Sequence, residues 1–267
     1  MEGAVTVKYW LRESILLSPE NPTQTSDAAG DIFATTRWTV VLAAGHRGAP
    51  QADVALEELC RTYWYPLYAY VRRHGHSRED AEDLTQAFFA RLLEKNYLDG
   101  ISSEKGKFRA FLLTAVKRFL ANEWDRERSQ KRGGGIKPLS LDWQDADTRY
   151  QIHPADNLSP DKLFDRAWAM TLLERVITRL RDECRADGKA GLYEQLKTFL
   201  MGGKGDVACA QAAAALGLTE GAVRVAIHRL RRRYRELLRE EVAQTLSDPA
   251  QAGEERQALF SALTEGS

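Results

Sequence analysis

Five arginines stand in the seven residues from Arg229 to Arg235, at the end of the stretch TEGAVRVAIHRLRRR that begins at Thr219. A guanidinium is a planar fork that pairs bidentately with guanine O6 and N7 or with phosphate oxygens, so such a run suits a nucleic-acid groove. The plainer reading is a solvated helix with internal ion pairs, but Glu236, Glu240 and Glu241 sit at its far end and are too few to neutralise it. A second cationic set, Lys105, Lys107, Arg109, Lys117, Arg118, Arg126, Arg128, Lys131 and Arg132, alternates with Phe108, Phe111, Phe119 and Trp124. Basic groups interleaved with aromatics suit unstacked bases on a single strand. Phe111 and Phe119 share an apolar helix face and read as core, which leaves Phe108 and Trp124, at the ends, as the stacking candidates.

A third cluster is acidic: Glu79, Asp80, Glu82 and Asp83, with His74 and His76 nearby. Carboxylates and imidazoles can hold a catalytic metal for nucleic-acid cleavage. The spacing opposes this, because Asp80 and Asp83 share a helix face while Glu79 and Glu82 turn away. Complementing the positive end of a helix dipole explains all four. His46 and His153 fall in or near loops and read as surface residues. No glycine-rich phosphate loop, GxSxG or HExxH pattern occurs. No catalytic residue, metal ligand or cofactor site is therefore assigned.

These residues need helices to position them, and the periodicity supplies helices. A first pattern runs from Asp31 to about Ala44 and a second from Gln51 to His74. Ser77 stands three residues before Asp80 in a capping pattern and opens the next, whose core face is Leu84, Phe88 and Leu92. Another begins near Phe108 and runs towards Arg132. Ser159-Pro160 opens a helix at the favoured N1 proline, with Leu163, Ala167, Met170, Leu173, Ile177 and Leu180 along its apolar face. A shorter helix spans about Leu192 to Met201. The small-residue run Cys209 to Gly217 then forms a helix, Leu218-Thr219 a tight turn, and Val223, Ile227, Leu230, Tyr234 and Leu237 the buried stripe of a second helix. That is a helix-turn-helix with an arginine-rich outer face.

The 267 residues carry 38 Lys and Arg against 38 Asp and Glu, so attraction to a polyanion must come from local segregation of charge. Cys60, Cys184 and Cys209 are odd in number and far apart, which speaks against a disulfide framework or zinc site and for a reducing cytoplasm. No apolar run approaches a membrane span or a signal-peptide core. The expected fold is all-α, with two small helical domains. Residues 1–30 read as a tail, 31–132 as the first domain and 133–158 as a proline- and aspartate-containing linker. Residues 159–245 form the second domain and 246–267 a C-terminal tail, in which Glu254 to Leu263 is a short amphipathic helix.

Three runs, DAEDLTQAFFARLLEK (Asp80 to Lys95), KGKFRAFLLTAVKRFLANEWDRERSQKR (Lys105 to Arg132) and DVACAQAAAALGLTEGAVRVAIHRLRRRYREL (Asp206 to Leu237), resemble in order and spacing regions 2 and 4 of the extracytoplasmic-function sigma factors of bacterial RNA polymerase. The resemblance implies that Asp80, Asp83, Gln86, Ala87, Ala90 and Arg91 dock on core RNA polymerase. It implies that Lys107, Arg109, Lys117, Arg118, Asn122, Glu123 and Arg126 recognise and help melt the minus-ten element of promoter DNA. The minus-thirty-five element would be read by Glu220, Arg224, Val225, His228 and Arg229, beside Arg231 and Arg232. Val225 stands where a small polar residue is the family's habit, and the stretch Leu192 to Val207 is glycine-rich where members carry a longer helix. An anti-sigma protein is a further partner of many members. The competing classes are a free-standing helix-turn-helix regulator and, more remotely, a metal-dependent nucleic-acid enzyme.

Overall fold

The computed structural model describes residues 50–93, 107–127, 143–152, 158–200 and 206–264. Among them run nine α-helices: α1 (Pro50–Arg73), α2 (Arg78–Leu93), α3 (Phe108–Glu127), α4 (Trp143–Ile152), α5 (Pro160–Ala186), α6 (Ala190–Leu200), α7 (Asp206–Leu216), α8 (Glu220–Ala243) and, after a 3-10 turn at Pro249–Gln251, α9 (Ala252–Thr264). The described residues contain no strand, only an isolated antiparallel bridge between Lys107 and Leu246. The fold is all-α, as the periodicity predicts. The expected tail 1–30 and the helix expected over Asp31 to Ala44 lie outside the described residues.

Local signals in the sequence set several boundaries. Ser77 Oγ accepts the N–H of Asp80 at 3.1 Å and donates to its Oδ2 at 2.8 Å, so α2 begins with a reciprocal cap. Ser159 accepts the Lys162 N–H ahead of Pro160, which supplies the first helical residue of α5 without wasting a donor. At the other end of α5, Gly188 adopts φ +71° and Lys189 N–H closes on the Cys184 carbonyl at 2.7 Å, a Schellman stop.

The long α5 is the spine, against which α1, α8 and α9 all pack. Its buried Phe164, Trp168, Leu172, Val176 and Leu180 belong to one apolar cluster with Tyr63 and Leu67 of α1, Phe108 and Leu112 of α3, Val223 and Leu237 of α8, and Leu259 of α9. Each fully buried side chain of this size contributes about 1.5–3 kcal/mol by leaving water. The sequence stretch expected as linker, 133–158, contains α4. Its Asp147 is buried, accepting from Tyr68 Oη at 3.0 Å and from Gln151 Nε2 at 2.8 Å, and Arg149 lies over the Tyr65 ring at 4.1 Å. These ties dock α4 on α1. The remainder of that stretch lies largely outside the described residues.

Candidate nucleic-acid interface

A tight turn joins α7 to α8. After α7, Gly217 takes φ +64°, a region costly for any residue with a Cβ. This allows Leu218 N–H to reach the Ala213 carbonyl at 3.0 Å. Thr219 then caps α8, its Oγ1 accepting the Ala222 N–H at 3.2 Å. Val223, Ile227, Leu230, Tyr234 and Leu237 are all buried. With that stripe inward, Glu220, Arg224, Val225, His228, Arg229 and Arg232 are exposed on the opposite face.

The five clustered arginines divide into two groups. Arg232 pairs with Glu236 one turn along at 3.0 Å, and Arg224 pairs with Glu220 at 3.4 Å. Exposed pairs of this kind are worth about 0–1 kcal/mol and exchange readily for a phosphate. Arg229 is exposed and forms no ion pair among the described residues. Arg235 is half-buried. Arg233 faces α5, with both arms on Glu183 at 2.8 Å. Arg231, expected on the outer face, turns inward instead: its guanidinium donates to the Phe199 carbonyl at the end of α6. The reason is local geometry, since residue 231 borders the buried stripe next to Leu230 and within reach of an unpaired helix-end carbonyl. Val225 is 51% exposed, an apolar side chain held out among cations.

The second face lies on α3. Lys117, Arg118 and Asn122 are exposed on successive turns, and Trp124 is 70% exposed near the helix end. Arg118 forms no ion pair among the described residues, whereas Lys117 pairs with Asp161 at 2.6 Å. Glu123 is half-buried and meets Arg91 of α2 at 3.9 Å. Arg126 lies on α3, its side chain outside the described set. Beside Trp124 opens a cleft of about 750 Å³ lined by Tyr70, His74, Leu84, Leu120 and Pro160. Partial desolvation, and then neighbouring His76, lowers the His74 pKa. Burial likewise pushes the Tyr70 phenol up to about 12. An exposed indole beside this partly apolar cleft, whose lining also includes Lys117, Glu123 and Asp161, has the character of a platform for an unstacked base.

Phe108, the other stacking candidate, is wholly buried with its ring edge-on to Tyr63 at 5.1 Å, which corrects that expectation. As the first residue of α3 it faces the core where α1 and α5 meet. Lys107 and Arg109 are half-buried and already occupied. Glu255 of α9 takes Lys107 at 3.0 Å and Arg109 at 2.9 Å, and Asp165 of α5 takes Arg109 as well. Sequence reasoning leaves Glu255 unassigned, since an acidic residue in a short amphipathic helix carries no sign of its partner.

On α2, Asp80 and Asp83 are exposed, while Gln86, Ala87, Ala90 and Arg91 are half-buried. The buried face is broader than Leu84, Phe88 and Leu92: Ala81, Thr85 and Phe89 are buried too, and Leu84 is only half-buried. Glu82 pairs with Arg78 at 2.8 Å. Among the described residues no three His, Cys, Asp or Glu side chains converge as a metal site. Cys60 and Cys209 are buried, Cys184 is half-buried, and all three are free thiols. Nor, among the described residues, is any helix long and apolar enough to cross a membrane.

Residues 59–130, which span α1 to α3, match the family model of sigma-70 region 2. The match supports a sigma-70 family factor and a role in promoter recognition and transcription initiation. No curated protein and no solved structure matches the chain.

Proposed function

We propose that the chain is a sigma factor of the extracytoplasmic-function type, which joins core RNA polymerase and directs promoter recognition, melting and initiation. The observation that carries this reading is an order along the chain. The region 2 match at residues 59–130 is followed by a capped helix-turn-helix that holds an arginine-bearing face clear of its own core.

Each part has a physical task. The acidic outer surface of α2, with Asp80 and Asp83 foremost, serves as the docking face for the polymerase, together with Gln86, Ala87, Ala90 and Arg91. Along α3, Lys117, Arg118 and Asn122 meet the opened minus-ten strand, and Trp124 with its cleft receives an unstacked base. On α8, Arg224, His228 and Arg229 face base edges of the minus-thirty-five duplex, with Arg232 on phosphate. Val225 offers an apolar contact suited to a thymine methyl group. Because two tethered contacts reinforce each other, each module works with modest affinity of its own.

The test mixes the purified chain with core RNA polymerase. Co-elution as a one-to-one complex, with transcription from selected promoters, is the expected result. Binding to operator DNA without polymerase, and no initiation, would replace this reading by that of a free-standing regulator.

A further inference from the structure

The start of α3 is a built anion site. Lys107 and Arg109 flank the first turn of the helix, at the positive end of its dipole, and the Arg109 guanidinium lies over the Trp168 ring at 4.5 Å. The anion in it comes from the chain itself. Glu255 of α9 is 0% exposed, with one carboxylate oxygen 2.9 Å from Arg109 Nε and the other 3.0 Å from Lys107 Nζ. A buried carboxylate is tolerable only while such partners surround it. Around this contact the chain is tied down further. Phe108 N–H donates to the Thr245 carbonyl at 3.0 Å, Lys107 bridges Leu246, and Leu259 of α9 is buried against the rest of the core.

We propose that α9 is an internal plug in which Glu255 stands in for a backbone phosphate of the melted DNA strand, and that strand binding displaces it. This rests on the sigma-factor reading above. Two arguments support it. A carboxylate shared by a lysine and an arginine reproduces the charge and the acceptor geometry of a bound phosphate. Moreover, the Phe108–Thr245 junction holds the beginning of α3 beside the end of α8. At 1.5 Å per residue, the outer residues of α3 and α8 can then lie no more than about 60 Å apart. Elements at minus ten and minus thirty-five are about 25 base pairs apart, or about 85 Å along B-DNA. Gripping both requires the junction, and with it the plug, to open.

The experiment uses the full chain and its Glu255→Gln variant, with a fluorescent single-stranded oligonucleotide of about 20 nucleotides as probe. The variant is expected to bind the probe about ten-fold more tightly than the parent at low salt. Its slope of log affinity against log salt should match the parent's, because the same two cations meet the strand in both proteins once the carboxylate has left. In the parent chain, hydrogen exchange over 252–264 should accelerate when the probe saturates. Equal affinity in a variant that melts as a folded protein would overturn the plug. If the variant does not fold, the parent decides: unchanged exchange of α9 at saturating probe overturns it equally. Core polymerase is titrated in parallel, because a chain that initiates transcription yet shows no such release refutes the plug alone, whereas failure to join polymerase refutes the functional reading.

Discussion

Arg231 donates two hydrogen bonds to the carbonyl oxygen of Phe199, from Nε at 3.2 Å and from Nη2 at 2.8 Å. Phe199 belongs to the last turn of α6, where carbonyls lack intrahelical partners. An arginine in the middle of the cationic run is thereby committed to holding α6 against α8. Replacing it, Arg231→Ala, is expected to lower unfolding stability by about 1.5 kcal/mol, the scale for a hydrogen bond from a charged group. Denaturant midpoints measure this, and promoter preference should be unaltered. Lost sequence preference at full stability would return Arg231 to the DNA-contacting set.

Arg224 and Arg232 are both exposed, yet they sit at opposite ends of the recognition surface. Arg224 lies in the second turn of α8, where the proposed function has it reach base edges, and Arg232 two turns further on, where it would meet the backbone. Arg224→Ala should relax preference for the minus-thirty-five sequence and cost about 1–3 kcal/mol on the cognate site. Arg232→Ala should weaken cognate and scrambled promoters alike and reduce the salt slope by about 0.9. Quantitative binding of both variants, within the polymerase complex, to the two templates separates the roles. Identical profiles would contradict the assignment.

How much of this was legible in the residues differs from element to element. The Ser77 and Thr219 caps, Pro160 at the start of α5 and the Val223-to-Leu237 stripe announce their helices because the interactions are local. Those helices form where expected. Exposure along α8 follows from the same stripe. What escaped is long-range: the carboxylate of Glu255 lies 146 positions from Arg109, and the fate of Arg231 depends on a carbonyl 32 positions away. Phe108 escaped for a related reason, since a residue at a helix end is buried or exposed according to what packs beyond it. Asp147 falls within the aspartate-containing stretch expected as linker, and only its distant partner Tyr68 makes it a buried acceptor.

The contrast between Phe108 and Trp124 gives a second paired test. Phe108 is buried against Tyr63, so Phe108→Ala should destabilise the fold by about 3–5 kcal/mol. Trp124 is 70% exposed, and Trp124→Ala should leave the melting temperature within a degree or two while slowing promoter opening. Base stacking on an aromatic ring is worth about 1–3 kcal/mol, which sets an effect of about five-fold or more on the opened complex. Permanganate reactivity of the melted thymines reports opening. Normal opening by the tryptophan variant would remove Trp124 from the strand-binding surface.

Acid should loosen the contact between α5 and α8 before it reaches the apolar core. The Glu183 carboxyl is held below its ordinary range, chiefly by its hydrogen bond from Arg233, then against partial burial by the charges of Arg233 and Arg179. A depressed carboxylate pKa means that the unfolded chain binds the proton more readily, so stability rises with pH across the interval between the two values. The contribution is present above the usual carboxylate range and disappears as pH falls through the folded value. Asp165 acts in the opposite sense: burial raises its pKa despite Arg109, and its protonation in acid favours the folded chain. Total stability therefore mixes the two signs, and a single substitution isolates one. Thermal melts of the parent and of Glu183→Gln between about pH 6 and pH 3 should converge as pH falls, because the parent loses an ion pair that the variant never had. Curves that stay parallel over that range would show that the Glu183–Arg233 pair contributes nothing to holding α8 on α5.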